Sequence, residues 1–181
     1  MNEYNFDERL AFSTERRGKP FEDVIQDSLP GIIDVSKTDV AVDKTGIDYI
    51  ATLRGGATIG IDLKLRDKGC SRYWKYGDEL ALETWSVLPE NGQRGKCGWT
   101  LDEAKATDYT LHVFDPSDSD TVYLLPFQLL RKAFRNYYRN WLRIYRVAEQ
   151  NSGQWKSQCV FVPAGIVLNV INQSSIIQHA I

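Results

Sequence analysis

The chain has 181 residues, 43% of them hydrophobic and 25% charged, and carries a formal net charge of −2. That length fits one domain with a core of its own, so a single domain over residues 1–181 is expected. Three cysteines (Cys70, Cys97, Cys159) outside any CxxC pair argue against a disulfide framework or structural zinc, and two histidines, His112 and His179, are too few for a zinc hydrolase.

No apolar run approaches the roughly 20 residues of a membrane span, and residues 1–12 carry acids where a signal peptide carries bases. A cytoplasmic chain without a membrane partner is expected. Charge is segregated along it: between Pro126 and Arg146 lie six bases (Arg131, Lys132, Arg135, Arg139, Arg143, Arg146) and no acid, while the rest is acidic. Such a patch suits a polyanion.

In chain order, residues 6–29 read as helix, broken near residues 17–20, with Phe21, Val24, Ile25 and Leu29 on one side. Residues 32–53 change period and suggest short strands through Ile32, Val35, Val40, Val42, Ile47 and Tyr49. Residues 54–57 (Arg-Gly-Gly-Ala) form a turn that makes residues 48–53 and 58–66 an antiparallel hairpin. A further strand is expected at residues 79–87 and a loop at 89–98. A second hairpin follows from residues 109–114 and 121–125. Pro126 opens an amphipathic helix whose apolar set is Leu130, Phe134, Tyr137, Trp141 and Ile144. The tail offers a strand at residues 158–162, and residues 163–177 suit helix or strand alike.

Alternation along β structure puts Ile61, Leu63 and Leu65 on one face and Asp62, Lys64 and Arg66 on the other. The hairpin brings Asp48 alongside Asp62. Two carboxylates with the Leu63 carbonyl suit a hard divalent cation, Mg²⁺ with Mn²⁺ as a substitute. A neighbouring Lys64 suits the orientation of an attacking water or the stabilisation of charge on phosphate. Phosphodiester hydrolysis is the chemistry this combination points to.

Gly46-Ile47-Asp48-Tyr49, a turn and Ile61-Asp62-Leu63-Lys64 resemble the core motif of the PD-(D/E)XK nuclease superfamily. The resemblance implies an α/β, restriction-endonuclease-like core of order α-β-β-β-α-β, with a central mixed sheet flanked by helices. It implies DNA as substrate, Asp48, Asp62 and Lys64 as the catalytic set, and Glu22 of the upstream helix as a supporting acid. Ile47 stands where the family name puts proline, a substitution the superfamily often shows. The implied activity is that of a Mg²⁺-dependent DNA endonuclease. A homodimeric resolvase of branched DNA and a non-catalytic binding module on the same fold are the alternatives.

Two basic stretches are expected to meet the nucleic acid. Arg131, Arg135, Arg139 and Arg143 recur every four residues beside Tyr138. Arg66, Lys68, Arg72 and Lys75 follow the hairpin, with Tyr73, Trp74 and Tyr76 interleaved. Glu79 and Glu83 are further acids, expected on the solvated face of their strand. Cys97-Gly98-Trp99 reads as structural.

Overall fold

A computed structural model describes residues 21–43, 45–66, 78–89, 94–114 and 122–177. It is an α/β structure with one mixed and one antiparallel sheet, divided between two compact units. Among the described residues no helix is long and apolar enough to cross a membrane. Of the sequence expectations, the helix before residue 21, Cys70, His179 and the basic and aromatic positions Lys68, Arg72, Tyr73, Trp74, Lys75 and Tyr76 lie outside the described residues.

The first unit spans residues 13–73 and 104–128. Helix α1 (Phe21–Ser28) leads into β1 (Ile32–Lys37), the one-turn helix α2 (Val40–Asp43), β2 (Tyr49–Leu53) and β3 (Thr58–Arg66). β1, β2 and β3 form an antiparallel meander; β6 (Tyr109–Phe114) lies parallel to β3, and β7 (Val122–Pro126) closes the other edge. Phe21 and Ile25 of α1 join Ile61, Leu63, Leu111 and Val113 in one apolar cluster. That cluster takes one face of β3 and β6 and leaves the opposite face to Asp62, Lys64, Thr110 and His112. The turn at residues 54–57 forms as expected: Gly55 and Gly56 both adopt positive φ, a conformation that favours glycine.

α2 replaces an expected strand. Val40 and Val42 alternate as strand residues do, but Asp39 caps a helical turn, its Oδ1 accepting from Val42 N–H at 3.0 Å. Gly46, at φ +86°, ends the excursion, and its N–H donates to the Asp43 carbonyl.

The second unit holds residues 74–103 and 129–181. Its sheet runs β5 (Lys96–Cys97), β4 (Glu79–Val87), β9 (Lys156–Pro163), β8 (Val147–Asn151), all antiparallel. The strand at residues 79–87 thus extends a separate sheet and not the one bearing the hairpin. Leu80 and Leu82 pair with Val162 and Val160, and all four are fully buried. Helix α3 (Phe127–Ile144) follows β7 directly, with Leu130, Phe134 and Trp141 buried. Tyr137 and Ile144, expected on that apolar face, are exposed: the Tyr137 ring stacks on Trp141, and Ile144 ends the helix. Residues 164–177 resolve as helix α4 (Ala164–Ile177), with Val167, Val170 and Ile171 buried.

Candidate active site

The β2–β3 ladder pairs Tyr49 with Ile61, and one step beyond that pair Asp48 faces Asp62. The Asp48 N–H donates to the Ile61 carbonyl at 2.9 Å, and its Oδ2 accepts from the Leu63 N–H at 2.7 Å. Asp48 therefore grips β3 on both sides of Asp62. Thr38 secures the other side of Asp48, donating through its N–H to the Asp48 carbonyl at 2.9 Å and through its hydroxyl to the Ile47 carbonyl at 2.6 Å. Ile47 lies against Gly60, where a Cβ would sit about 2.9 Å from the Ile47 Cδ1.

Asp48 and Asp62 are both buried, 5% and 4% exposed. Lys64 Nζ lies 2.8 Å from the Asp62 carboxylate, with its side chain 28% exposed. The structure thus brings Asp48, Asp62 and Lys64 together, as the sequence pattern leads one to expect.

It adds a residue that sequence reasoning missed. Lys105 Nζ lies 2.9 Å from Asp62 Oδ2, and its side chain is only 8% exposed. Lys105 sits in an irregular segment with no motif around it, so only the fold reveals its position. That segment is tied to β3 two residues before Asp62: Asp108 N–H donates to the Gly60 carbonyl at 2.9 Å, Gly60 N–H donates to Asp108 Oδ2 at 2.7 Å, and the Thr107 hydroxyl donates to the same Gly60 carbonyl at 3.2 Å. Asp43, at the end of α2, is a second addition, its carboxyl hydrogen-bonded to that of Asp48.

The two central acids have opposite electrostatics. Burial, then the negative charge of Asp62, raises Asp48 to about 6; the Leu63 N–H opposes this, and the carboxyl of Asp43 adds to it. Burial also works against ionised Asp62, but Lys64 and Lys105 outweigh it and hold that carboxyl below its ordinary range. Lys105 itself is lowered by burial and by Lys64, with Asp62 and Asp48 pulling the other way. His112, paired in register with Lys64 and fully buried, is pushed down to about 3 by burial and by Lys64, and so is neutral.

A hard divalent cation fits this donor set. Burial, and then the charge of Asp62, disfavour ionised Asp48, and a bound cation would favour it. Mg²⁺ commonly takes one or two carboxylates and completes its shell with water and phosphate. Among the described residues no group of three or more His, Cys, Asp or Glu is arranged to hold a metal ion.

The other candidate residues are placed as follows. Glu22 lies on α1, which packs against the Ile61 and Leu63 face, and among the described residues it forms no hydrogen bond or ion pair with Asp48, Asp62 or Lys64. Arg66 shares the face of Asp62 and is buried, 9% exposed, so it adds positive charge on that face. Glu79 is buried and paired with Arg146 at 3.2 Å. Glu83 Oε2 accepts from the Ser86 hydroxyl at 2.8 Å and from the Trp99 N–H at 2.9 Å. Glu79 is thus buried and Glu83 partly buried, each held by neighbouring polar groups where a solvated face was expected. Gly98 belongs to the same joint: its N–H donates to the Thr84 carbonyl, and a Cβ there would overlap the Glu83 carbonyl.

The arginines of α3 divide into two pairs. A spacing of four turns each successive residue about 40° around a helix of 3.6 residues per turn. Arg131 and Arg135 face the turn at residues 102–103, Arg131 donating to the Asp102 carbonyl at 2.9 Å and Arg135 pairing with Glu103. Arg139 and Arg143 are exposed, and the Arg139 guanidinium lies 5.8 Å from the Tyr138 ring centroid.

No family model, curated protein or solved structure compared with the chain matches it.

Proposed function

We propose that the chain is a Mg²⁺-dependent DNA endonuclease, with its chemistry in the unit that carries β2 and β3. The observation that carries this reading is the meeting of Asp48 and Asp62 with Lys64, whose Nζ is 2.8 Å from the Asp62 carboxylate. Support for a restriction-endonuclease-like core comes from the order α1-β1-β2-β3, followed by β6 in the same mixed sheet. Between β3 and β6 the described residues carry β4 and β5 of a second sheet.

Asp48 and Asp62, with the Leu63 main-chain carbonyl, would hold the cation. When bound, Mg²⁺ supplies Lewis-acid polarisation of the phosphoryl oxygen and a water of lowered pKa. Asp48 has to be ionised for this, so the site is set for neutral to alkaline pH. Lys64, the more exposed of the two lysines, hydrogen-bonds the attacking water or a phosphate oxygen and stabilises the charge that builds there. His112 is held neutral at physiological pH, with one ring N–H and one acceptor nitrogen. Arg139 and Arg143 neutralise backbone phosphates, an attraction without sequence preference.

The experiment is incubation of the purified chain with supercoiled plasmid, linear duplex, a four-way junction and single-stranded RNA, in Mg²⁺, Mn²⁺ or EDTA. Metal-dependent cutting of DNA is the expected result, and preference for the junction selects resolvase activity. DNA binding without cutting under any of these conditions overturns the enzyme reading in favour of a binding module.

A further inference from the structure

Lys105 has no part in the hydrolytic step above, yet it is more deeply buried at the acid pair than Lys64. Its Nζ lies 2.9 Å from Asp62 Oδ2, the oxygen that Lys64 Nζ approaches at 2.8 Å. Two ammonium groups approach the same Asp62 oxygen, with the Asp48 carboxylate also within their electrostatic reach. The fold takes specific steps to admit the second. Gly46 leaves the space: a Cβ there would overlap Lys105 Nζ. The three hydrogen bonds between Gly60 and residues 107–108 fix the segment that delivers Lys105 beside β3.

A cation taken by Asp48 and Asp62 would bring positive charge to a carboxylate that already has an ammonium at contact distance. We propose that Lys105 is a resident counter-ion of the acid pair, a positioning residue that holds Asp62 in place in the metal-free site and competes with the divalent cation for it. This rests on the metal-site reading of Asp48 and Asp62. Its consequence is that metal affinity is held down, and that the metal-free site avoids an uncompensated buried charge, which is strongly destabilising.

The test is calorimetric titration of the full chain with Mn²⁺ at pH 8, without nucleic acid, on wild type, Lys105→Met, Lys105→Gln and Lys105→Arg. Lys105→Met binds Mn²⁺ about tenfold or more tightly than wild type, as removal of a unit charge a few ångströms away requires at protein-like dielectric. Lys105→Arg stays near wild type. Mn²⁺ raises the melting temperature of Lys105→Met by more than that of wild type, because it replaces the lost ammonium. Lys105→Gln, which removes the charge and keeps a polar group beside Asp62, also tightens Mn²⁺ binding, and it decides the matter if Lys105→Met does not fold. Equal or weaker Mn²⁺ binding by Lys105→Met, or by Lys105→Gln where only that variant folds, overturns the competition. Absence of Mn²⁺ binding in wild type and in every variant overturns the metal site and the nuclease reading with it.

Discussion

The Asp48 carboxylate accepts the Leu63 main-chain N–H at 2.7 Å, which locks the acid at the start of β2 to the residue that follows Asp62 on β3. Two buried carboxylates are thereby held side by side against their own repulsion. Ionised Asp48 costs stability in the metal-free protein, whereas Lys64 and Lys105 favour the ionised form of Asp62.

Asp48→Asn is the first consequence. Asparagine keeps an oxygen for the Leu63 N–H and removes the charge that burial and Asp62 oppose. The metal-free protein is expected to gain on the order of 1–2 kcal/mol at pH 7 to 8, read by urea unfolding, while metal-dependent cleavage is lost. A variant that is both less stable and inactive would speak against the repulsion.

The pH dependence has a definite sign. Between pH 3.8 and about 6 the folded chain keeps a proton on Asp48 that the unfolded chain has released, so this group's contribution to stability falls as pH rises across that window. Metal binding needs the ionised form, so Mn²⁺ affinity and cleavage rate both fall as pH is lowered through about 6. Titrations at pH 5, 6, 7 and 8 check this.

His112 acts oppositely on stability. The unfolded chain gains a proton near pH 6.5 that the folded chain refuses until about 3, so the stabilisation is complete above 6.5 and is lost as pH falls toward 3, at up to about 1.4 kcal/mol per pH unit. The His112 ring proton shifts in NMR are expected to stay constant from pH 8 to 5. His112→Gln should flatten the acid limb of the stability curve.

The arginines of α3 separate by the same logic of placement. Arg139→Ala with Arg143→Ala reduces the slope of log affinity for DNA against log salt by up to about 2, near 0.9 per phosphate contact. Arg131→Ala leaves that slope nearly unchanged and lowers stability by about 1 kcal/mol or more, because it loses a charged hydrogen bond to the Asp102 carbonyl. Equal slopes for the two variants would contradict the division.

The hairpin and its three charged residues were legible because a Gly-Gly turn fixes the partners and alternation fixes the face. Helix α3 was legible from its apolar spacing. The α2 turn was not, since Val40 and Val42 imitate a strand and the deciding contact is a single Asp39 cap. Alternation in residues 79–87 announced a strand but carries no information about which sheet receives it, so Glu79 and Glu83 read as solvated when they are bound to Arg146 and to Ser86 and Trp99. The short β8 lacks the β-branched density that marks a strand. Lys105 reaches Asp62 only through long-range hydrogen bonds at Gly60, which no local pattern encodes.

The most direct test of the central claim is plasmid cleavage in Mg²⁺ by wild type beside Asp62→Ala and Lys64→Ala. Cutting by wild type that EDTA abolishes and that both variants lose by orders of magnitude is the predicted result. Undiminished cutting by either variant, or none by folded wild type, would contradict the assignment of Asp48, Asp62 and Lys64 as a nuclease centre.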